Sequence, residues 1–324
     1  MFMKENEFTN TKRKAKKMSI SNNKVCGIIV LYNPDVLLLK KQLISLRGQV
    51  DDVIYIDNSS KNRSSINTFI EDIRKNDFEP FVIWNSENMG LGYAQNQGIY
   101  KAREMGASHV LILDHDSVLQ SCFVTNLIET ENLLKKNGFN IGAMGPMYYN
   151  AKTGEIYPIT KYIGPFIKRI KPSENPVEAS FLISSGCFIS LKVIDKVGGM
   201  NEDLFVDYID VEWSFRAQSY GYKMFVAPKA KMDHQIGDRR TSVLGRTISV
   251  HSPLRRYYLF RNSIFMFRQK DIYFGYKLRE LIFNSLRLVV FLVLAKDRFE
   301  YLKFSFAGFR DGLKGRTGKC PIDQ

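Results

Sequence analysis

Two aspartates, Asp114 and Asp116, flank a single residue directly after the apolar run HVLILD. Carboxylates at i and i+2 on a tight turn can both present oxygens to a hard cation such as Mg²⁺ or Mn²⁺, which in turn holds a diphosphate. A helix cap by Asp116 and Ser117 explains the same residues in another way. A second acidic group, Asp207, Asp210 and Glu212, precedes Trp213, with Arg216 one turn on. Carboxylates at a helix start are favoured by the helix dipole, and three of them beside an aromatic platform fit an acid/base centre next to a sugar-sized ligand. Asp57 closes the run VIYID and can accept from a ribose hydroxyl or a base N–H, or close a turn on itself. His234 is one of four histidines; it can complete a metal site with the D-x-D pair or be ordinary satisfied structure. Gly90-Leu91-Gly92 stops short of a dinucleotide fingerprint, because Gln95 stands where the third glycine is required. That excludes a nicotinamide site.

The elements that must position these side chains follow a rhythm. Apolar runs open at Val25, Val53, Phe81 and His109, 28 residues apart each time. Between them, Val36 to Leu46, Ile66 to Ile73 and Leu91 to Met105 carry helical spacing. Strand, helix, strand at this interval predicts βαβ units, hence an α/β fold with an open, mostly parallel sheet and helices on both faces. In such sheets ligands collect beyond the carboxyl ends of the strands. The four runs end in polar loops at Asn33-Pro34, Asp57 to Ser60, Asn85 to Gly90 and Asp114 to Ser117. After about residue 140 short strands and Gly/Pro turns take over, and from about 252 helical segments rich in Tyr, Phe and Arg form a C-terminal appendage.

A chain of 324 residues with 44% hydrophobic and 25% charged residues is long and apolar enough for one large globular domain with an addition, which excludes disordered and collagenous classes. Four cysteines without C-x-x-C spacing argue against a disulfide scaffold and read as reduced, mostly core thiols. The longest uncharged apolar run, Leu288 to Ala295, is eight residues, far below the roughly 20 a spanning helix needs. With no apolar stretch near the N-terminus, a cytoplasmic protein is expected. Of the net +14, the excess is terminal: residues 1–24 hold seven Lys/Arg against two acids, and 239–324 hold eighteen against six. A near-neutral middle without a reader motif argues against nucleic acid, and leaves an anionic membrane surface or phosphorylated ligands as partners of the tail.

Over residues 24–265 a series of ordered motifs stands out. It comprises IIVLYNPD (28–35), YIDNSS around Asp57, and a complete N-x-G-x-x-x-A-x-N-x-G on Asn88, Gly90, Ala94, Asn96 and Gly98. It continues with DHDS (114–117), Ile209-Asp210, His234, Arg239-Arg240 and RRYYLFRN (255–262). This series resembles the inverting nucleotide-sugar glycosyltransferases of family 2, which have a GT-A fold, and within them the bacterial rhamnosyltransferases. The resemblance implies a donor-binding set of Asn33, Asp57, Asn58, Asn88, Gly90, Asn96 and Asp114, with Arg239 and Arg240 on the phosphate side. It implies a Mg²⁺ or Mn²⁺ ion on Asp116 and His234, and Asp210 as the base, with Glu212 and Trp213 beside the substrate. The family's glutamate before the base is Ile209 here, so Asp207 or Glu212 would replace it.

The implied reaction moves a sugar, L-rhamnose from dTDP-L-rhamnose, onto a saccharide or polyprenyl-linked acceptor in bacterial surface polysaccharide synthesis. A hexose or galactofuranose from a UDP donor, or a non-catalytic nucleotide-sugar scaffold, are the alternatives. The expected organisation is a basic arm at 1–23, a transferase domain at 24–250 and a helical basic and aromatic region at 251–324. Within the last, the apolar stretch from Leu278 to Ala295 either lies in a headgroup interface on the inner face of the membrane or forms an ordinary core or dimer helix.

Overall fold

The computed structural model describes residues 23–74, 79–149, 154–171, 173–233, 240–243, 246–249, 252–294 and 297–322, the 240s by backbone alone. The strands are β1 (Val25–Leu31), β2 (Asp52–Asp57), β3 (Phe81–Trp84), β4 (His109–Asp114), β5 (Val118–Leu119), β6 (Ile141–Tyr149), β7 (Ile159–Ile163), β8 (Phe166–Ile170), β9 (Val177–Ala179), β10 (Cys187–Ser190), β11 (Lys223–Asp233), β12 (Arg240–Val243) and β13 (Arg246–Ser249). The helices are α1 (Val36–Leu46), α2 (Arg63–Arg74), α3 (Leu91–Glu104), α4 (Phe123–Lys136), α5 (Leu191–Val197), α6 (Ile209–Ser219), α7 (Pro253–Arg268), α8 (Phe274–Leu294) and α9 (Arg298–Lys314).

The main sheet runs β3-β2-β1-β4-β10-β6-β11-β5, with β9 added on β11. Strands β1 to β4 are parallel, while β10 lies antiparallel between β4 and β6. Successive residues of β1 and β2 enter opposite cores. Cys26, Ile28, Ile54 and Ile56 join α3, α5 and α6 on one face, and Val25, Ile29, Val53 and Tyr55 join α1, α2 and α4 on the other. A strand covered on both faces has no solvent side to mark with polar residues, so it reads as an unbroken apolar run.

Local chemistry sets the helix bounds. The Asp35 carboxylate accepts from the Leu37 and Leu38 N–H groups and starts α1. At Gly98 a Cβ would lie 2.5 Å from Ile28 Cγ2, so α3 packs on β1 at a distance that only glycine permits. The helices after residue 252 close against the rest: Met266 and Tyr276 enter the main core, and Tyr257 and Tyr258 form a smaller one with Phe205, Ala307 and Cys320.

Candidate active site

Strand β4 delivers the first acid. Its last residue, Asp114, begins a turn closed by Ser117 N–H onto the Asp114 carbonyl at 3.1 Å, and Asp116 stands exposed at the tip. The second acid arrives from the other half of the chain. Asp210 lies in the first turn of α6, and its carboxylate accepts from Ser184 N–H at 3.2 Å and Val211 N–H at 2.8 Å. Asp114 and Asp210 line one cavity of about 240 Å³ together with Leu91, Ile183, Ser184, Val206, Asp207, Tyr208, Ile209 and Arg255. Pockets for whole drug-sized ligands run roughly 300–1,000 Å³, so this volume suits the reacting end of a larger ligand.

The two carboxyls influence one another. Burial pushes Asp114 up to about 7, reinforced by the Asp116 and Asp210 charges and opposed by Arg255. Burial likewise pushes Asp210 up to about 6, against the two N–H donors that favour its charged form. A carboxylate of this kind is ionised at neutral pH and more basic than a surface aspartate, which suits proton abstraction from a hydroxyl.

The segment that carries Asp210 to this place is unusual. Phe205, Asp207 and Tyr208 all have positive φ, at 62°, 62° and 66°. Val206 N–H bonds back to the Leu204 carbonyl at 2.7 Å, closing a γ-turn of the strained hand at Phe205. Non-glycine residues in such regions cost on the order of 1–3 kcal/mol each and persist only where the surroundings impose them.

Several residues expected to touch ligand make hydrogen bonds within the scaffold. Asn58 donates to Asn88 Oδ1 at 2.9 Å and to the Gly90 carbonyl at 3.2 Å, and it accepts from Asn85 Nδ2 and Met89 N–H. Asn88 also takes the Gly90 N–H at 2.9 Å. Asn96 exchanges two bonds with the Met200 backbone, at 2.9 and 2.8 Å, and reaches Glu202. The asparagine and glycine signature therefore ties the β2 and β3 loops to each other and α3 to the second half of the chain. Asp57 is fully buried, with its carboxylate on Ser60 N–H and on Arg63 Nε at 3.2 Å, and Arg63 in turn lies 4.8 Å over Trp84. Asn33 accepts from Lys61 N–H at 2.7 Å on the exposed loop nearby.

The acids around Asp210 are also engaged by arginines. Glu212 is buried and paired with Arg216 at 2.8 Å, while Arg216 also donates to the Val197 and Gly199 carbonyls. Trp213 is buried with its Nε1 on the Gly198 carbonyl at 2.9 Å, so it is a core residue rather than a sugar platform. Asp207, offered as a replacement for the acidic neighbour of Asp210, faces the cavity and is held there by two nitrogens of Arg255 at 2.7–3.1 Å. Ile209 is buried, which explains why an apolar residue is tolerated where the family carries a glutamate. His234 and Arg239 lie outside the described residues, as does the side chain of Arg240. Arg255, Ser184 and Tyr208 are the site residues that sequence reasoning missed. The RRYYLFRN run marked Arg255 without giving it a task.

The geometry has an independent counterpart in known proteins. The family model described as glycosyl transferase family 2 matches residues 27–198, more than half of the chain. The chain belongs to this family. The transferase is also 30% identical, over 300 residues, to the dTDP-rhamnosyl transferase RfbF of Shigella flexneri, covering 92% of this chain and 98% of that one. Among solved structures it is similar to S. aureus TarS residues 1–349, with a TM-score of 0.52 and 14% identity over 89% of this chain and 80% of that one. It is similar to the mannosyltransferase PcManGT from Pyrobaculum calidifontis, in complex with GDP-Man and Mn²⁺, with a TM-score of 0.52 and 13% identity over 94% of both chains. For GalNAc-T7 with UDP, GalNAc and Mn²⁺ the TM-score is 0.56 at 16% identity, over 76% of this chain and about half (51%) of that longer one. At these identities the structures establish the GT-A fold of the transferase and nothing finer.

Proposed function

We propose that this family 2 transferase moves L-rhamnose from dTDP-L-rhamnose to a hydroxyl of a saccharide or lipid-linked saccharide, with inversion at the anomeric carbon. The observation that carries the reaction type is the meeting of Asp114 and Asp210, 96 positions apart in the chain, in one cavity. The donor sugar rests on the 30% identity to a dTDP-rhamnosyl transferase along nearly the whole chain. Asp210 takes the proton of the acceptor hydroxyl as that oxygen attacks the anomeric carbon and the bond to the diphosphate breaks. One displacement inverts the centre, so a β-linked donor gives an α-L-rhamnoside. Arg255, held on Asp207, keeps a positive charge at the cavity wall where negative charge develops.

The residues present fit a divalent ion. Asp114 and Asp116 offer carboxylates on one turn, and Mg²⁺ or Mn²⁺ is commonly held by one or two carboxylates plus substrate phosphates and water. On β11, which pairs with β5 just after that turn, Asp233 Oδ1 is buried with no hydrogen-bond partner. Among the described residues no three His, Cys, Asp or Glu side chains gather as a closed metal cage. The ion would supply charge neutralisation on the leaving diphosphate, with Asp116 as ligand and His234 as the further ligand that the resemblance implies. Asp116→Ala is therefore expected to weaken donor affinity roughly tenfold or more in Mn²⁺ and to leave the weak affinity seen in EDTA unchanged. Isothermal titration reads this, and equal affinities in Mn²⁺ would remove Asp116 from the metal site.

A further part of the proposal concerns the acceptor side. Helix α8 exposes Phe274, Leu278, Ile282, Leu286, Val289 and Val293, and α9 exposes Phe299, Leu302, Phe306, Phe309 and Leu313. These spacings of three and four put each set on one helix face. No helix of the described residues is long and apolar enough to cross a membrane. Apolar stripes interleaved with Lys277, Arg298, Lys303 and Arg310, in a region with a strong basic excess, fit an anionic lipid surface better than a second equally basic copy. The chain is expected to float with vesicles containing anionic lipid, and Phe299→Asp combined with Phe306→Asp to abolish flotation. Equal recovery of both proteins would remove the membrane reading.

A further inference from the structure

Apart from Arg255, the RRYYLFRN stretch of α7 has no part in the chemistry proposed above, yet its polar side chains are heavily hydrogen-bonded. Arg261 and Asn262 are fully buried. Asn262 Nδ2 donates to the Leu204 carbonyl at 2.9 Å, the Val206 carbonyl at 2.7 Å and the Asp207 carbonyl at 3.3 Å. One side-chain amide thus collects three carbonyls of a single short loop. Those carbonyls can point to one spot only because Phe205 and Asp207 adopt left-handed backbone, so the amide and the strain are two sides of one arrangement.

The neighbours of Asn262 secure the rest of the loop. Arg261 Nη2 donates to the Asp203 carbonyl at 3.2 Å and the Leu204 carbonyl at 2.8 Å. Tyr258 stacks on Phe205 with ring centres 5.2 Å apart and planes 8° from parallel. Arg255 takes the Asp207 side chain. From α8, Glu280 accepts the Tyr208 hydroxyl at 3.0 Å and Asn284 donates to the same oxygen at 2.9 Å. Tyr208 is the residue that caps α6, and Asp210 follows two positions later.

We infer that Asn262 is a positioning residue for transfer: with Arg255 at its side, it templates the strained 204–208 loop and so fixes where the Asp210 carboxylate stands. This rests on the reading of Asp210 as the base. The donor half, built on the ends of β1 to β4, meets the loop through Leu91 N–H on the Phe205 carbonyl at 2.6 Å and is bonded neither by Asn262 nor by Arg261. Loss of the clamp therefore costs turnover and spares donor binding, because a misplacement near 1 Å between reacting groups is enough to lose roughly 10²-fold in rate.

Asn262→Asp keeps the shape and removes the donors, turning a carboxylate oxygen toward the three carbonyls. Arg255→Gln tests the half-exposed arm of the clamp without touching the buried core, and remains informative if Asn262→Asp fails to fold. Full-length protein is assayed by nucleotide release from dTDP-L-rhamnose, and amide hydrogen exchange is followed by mass spectrometry. For Asn262→Asp the expected result is kcat down about 10²-fold, donor KM within twofold, and exchange over 203–212 faster by roughly tenfold more than any change over β1 to β4. Arg255→Gln also removes the charge at the cavity wall, so there the clamp is judged by exchange over 203–212, which should rise by a smaller factor. Unchanged kcat, or exchange over 203–212 as slow as in the parent, overturns the clamp, and a uniform rise in exchange across the molecule overturns it too. Asp210→Asn run alongside separates the two readings. If that variant keeps turnover, the base assignment fails, while the exchange data still judge the clamp on their own.

Discussion

Asp210→Asn should lower turnover by roughly 10²–10⁴-fold, the range lost when a positioned general base is removed, with donor affinity unchanged by titration. The amide keeps the shape and can still accept one N–H from Ser184 or Val211, so folding is not at risk. The same residue sets the acid limb of the wild-type profile. With the carboxyl pushed up to about 6, kcat should fall tenfold per unit as pH drops below that value and level off above it. Stability runs the opposite way. The folded state holds this proton more tightly than the unfolded chain, whose carboxyl titrates near 3.8, so its contribution is full below that value and is lost as pH rises through about 6. The ionised group then works against the fold by about 1–3 kcal/mol. An inactive Asn variant should therefore melt higher than the parent at pH 8, by calorimetry. A variant that turns over within a few-fold of wild type would exclude Asp210 as the base.

Gly90→Ala should cost about 2–4 kcal/mol of folding stability, far more than a surface glycine replacement. Gly90 has φ of 88° and precedes α3 without a side-chain cap. A Cβ there would lie 2.8 Å from the Phe205 carbonyl oxygen and 2.9 Å from Phe205 Cα. The clash is with backbone, which cannot rotate aside, and Leu91 N–H bonds the same carbonyl at 2.6 Å. The Phe205 loop is itself strained and leads into the helix that holds the proposed base, Asp210, so Gly90→Ala should reduce kcat as well. Gly138→Ala separates the two causes: φ there is 83° with nothing within 4 Å of the added carbon, and roughly 1 kcal/mol is expected. Denaturant unfolding of the pair reads the difference. Equal losses would show that backbone conformation alone, and not the approach to Phe205, demands glycine at 90.

The parallel part of the fold was legible because each piece of it is local. The run VCGIIVLY already contains β1, and Val36 to Leu46 has the bounds of α1, with Asp35 as its visible cap. The helix read over Ile66 to Ile73 extends to Arg63 and Arg74, where polar residues continue it beyond the apolar stripe. The acids at the strand ends were equally plain, since the polar loops of a parallel sheet gather at one edge. Less legible was what each polar side chain touches. Asn58, Asn88 and Asn96 carry the strongest motif, and that motif spends its hydrogen bonds on joining loops. Glu212 resembled a substrate ligand until Arg216, one turn away, was seen to take it.

Residue types and spacing alone determined that an α/β sheet presents acids near 115 at its carboxyl edge, and that a second acidic group follows near 210. Periodicity and strand ends suffice for that, because they record which face of each element is dry. Only the tertiary structure decided that Asp210 meets Asp114 in one cavity while Asp207 pairs with Arg255, and that Asn262 from α7 binds the loop that precedes Asp210. The Arg255–Asp207 ion pair and the Asn262 amide on the Val206 carbonyl join atoms 48 and 56 positions apart, and no local pattern in a chain encodes such a meeting.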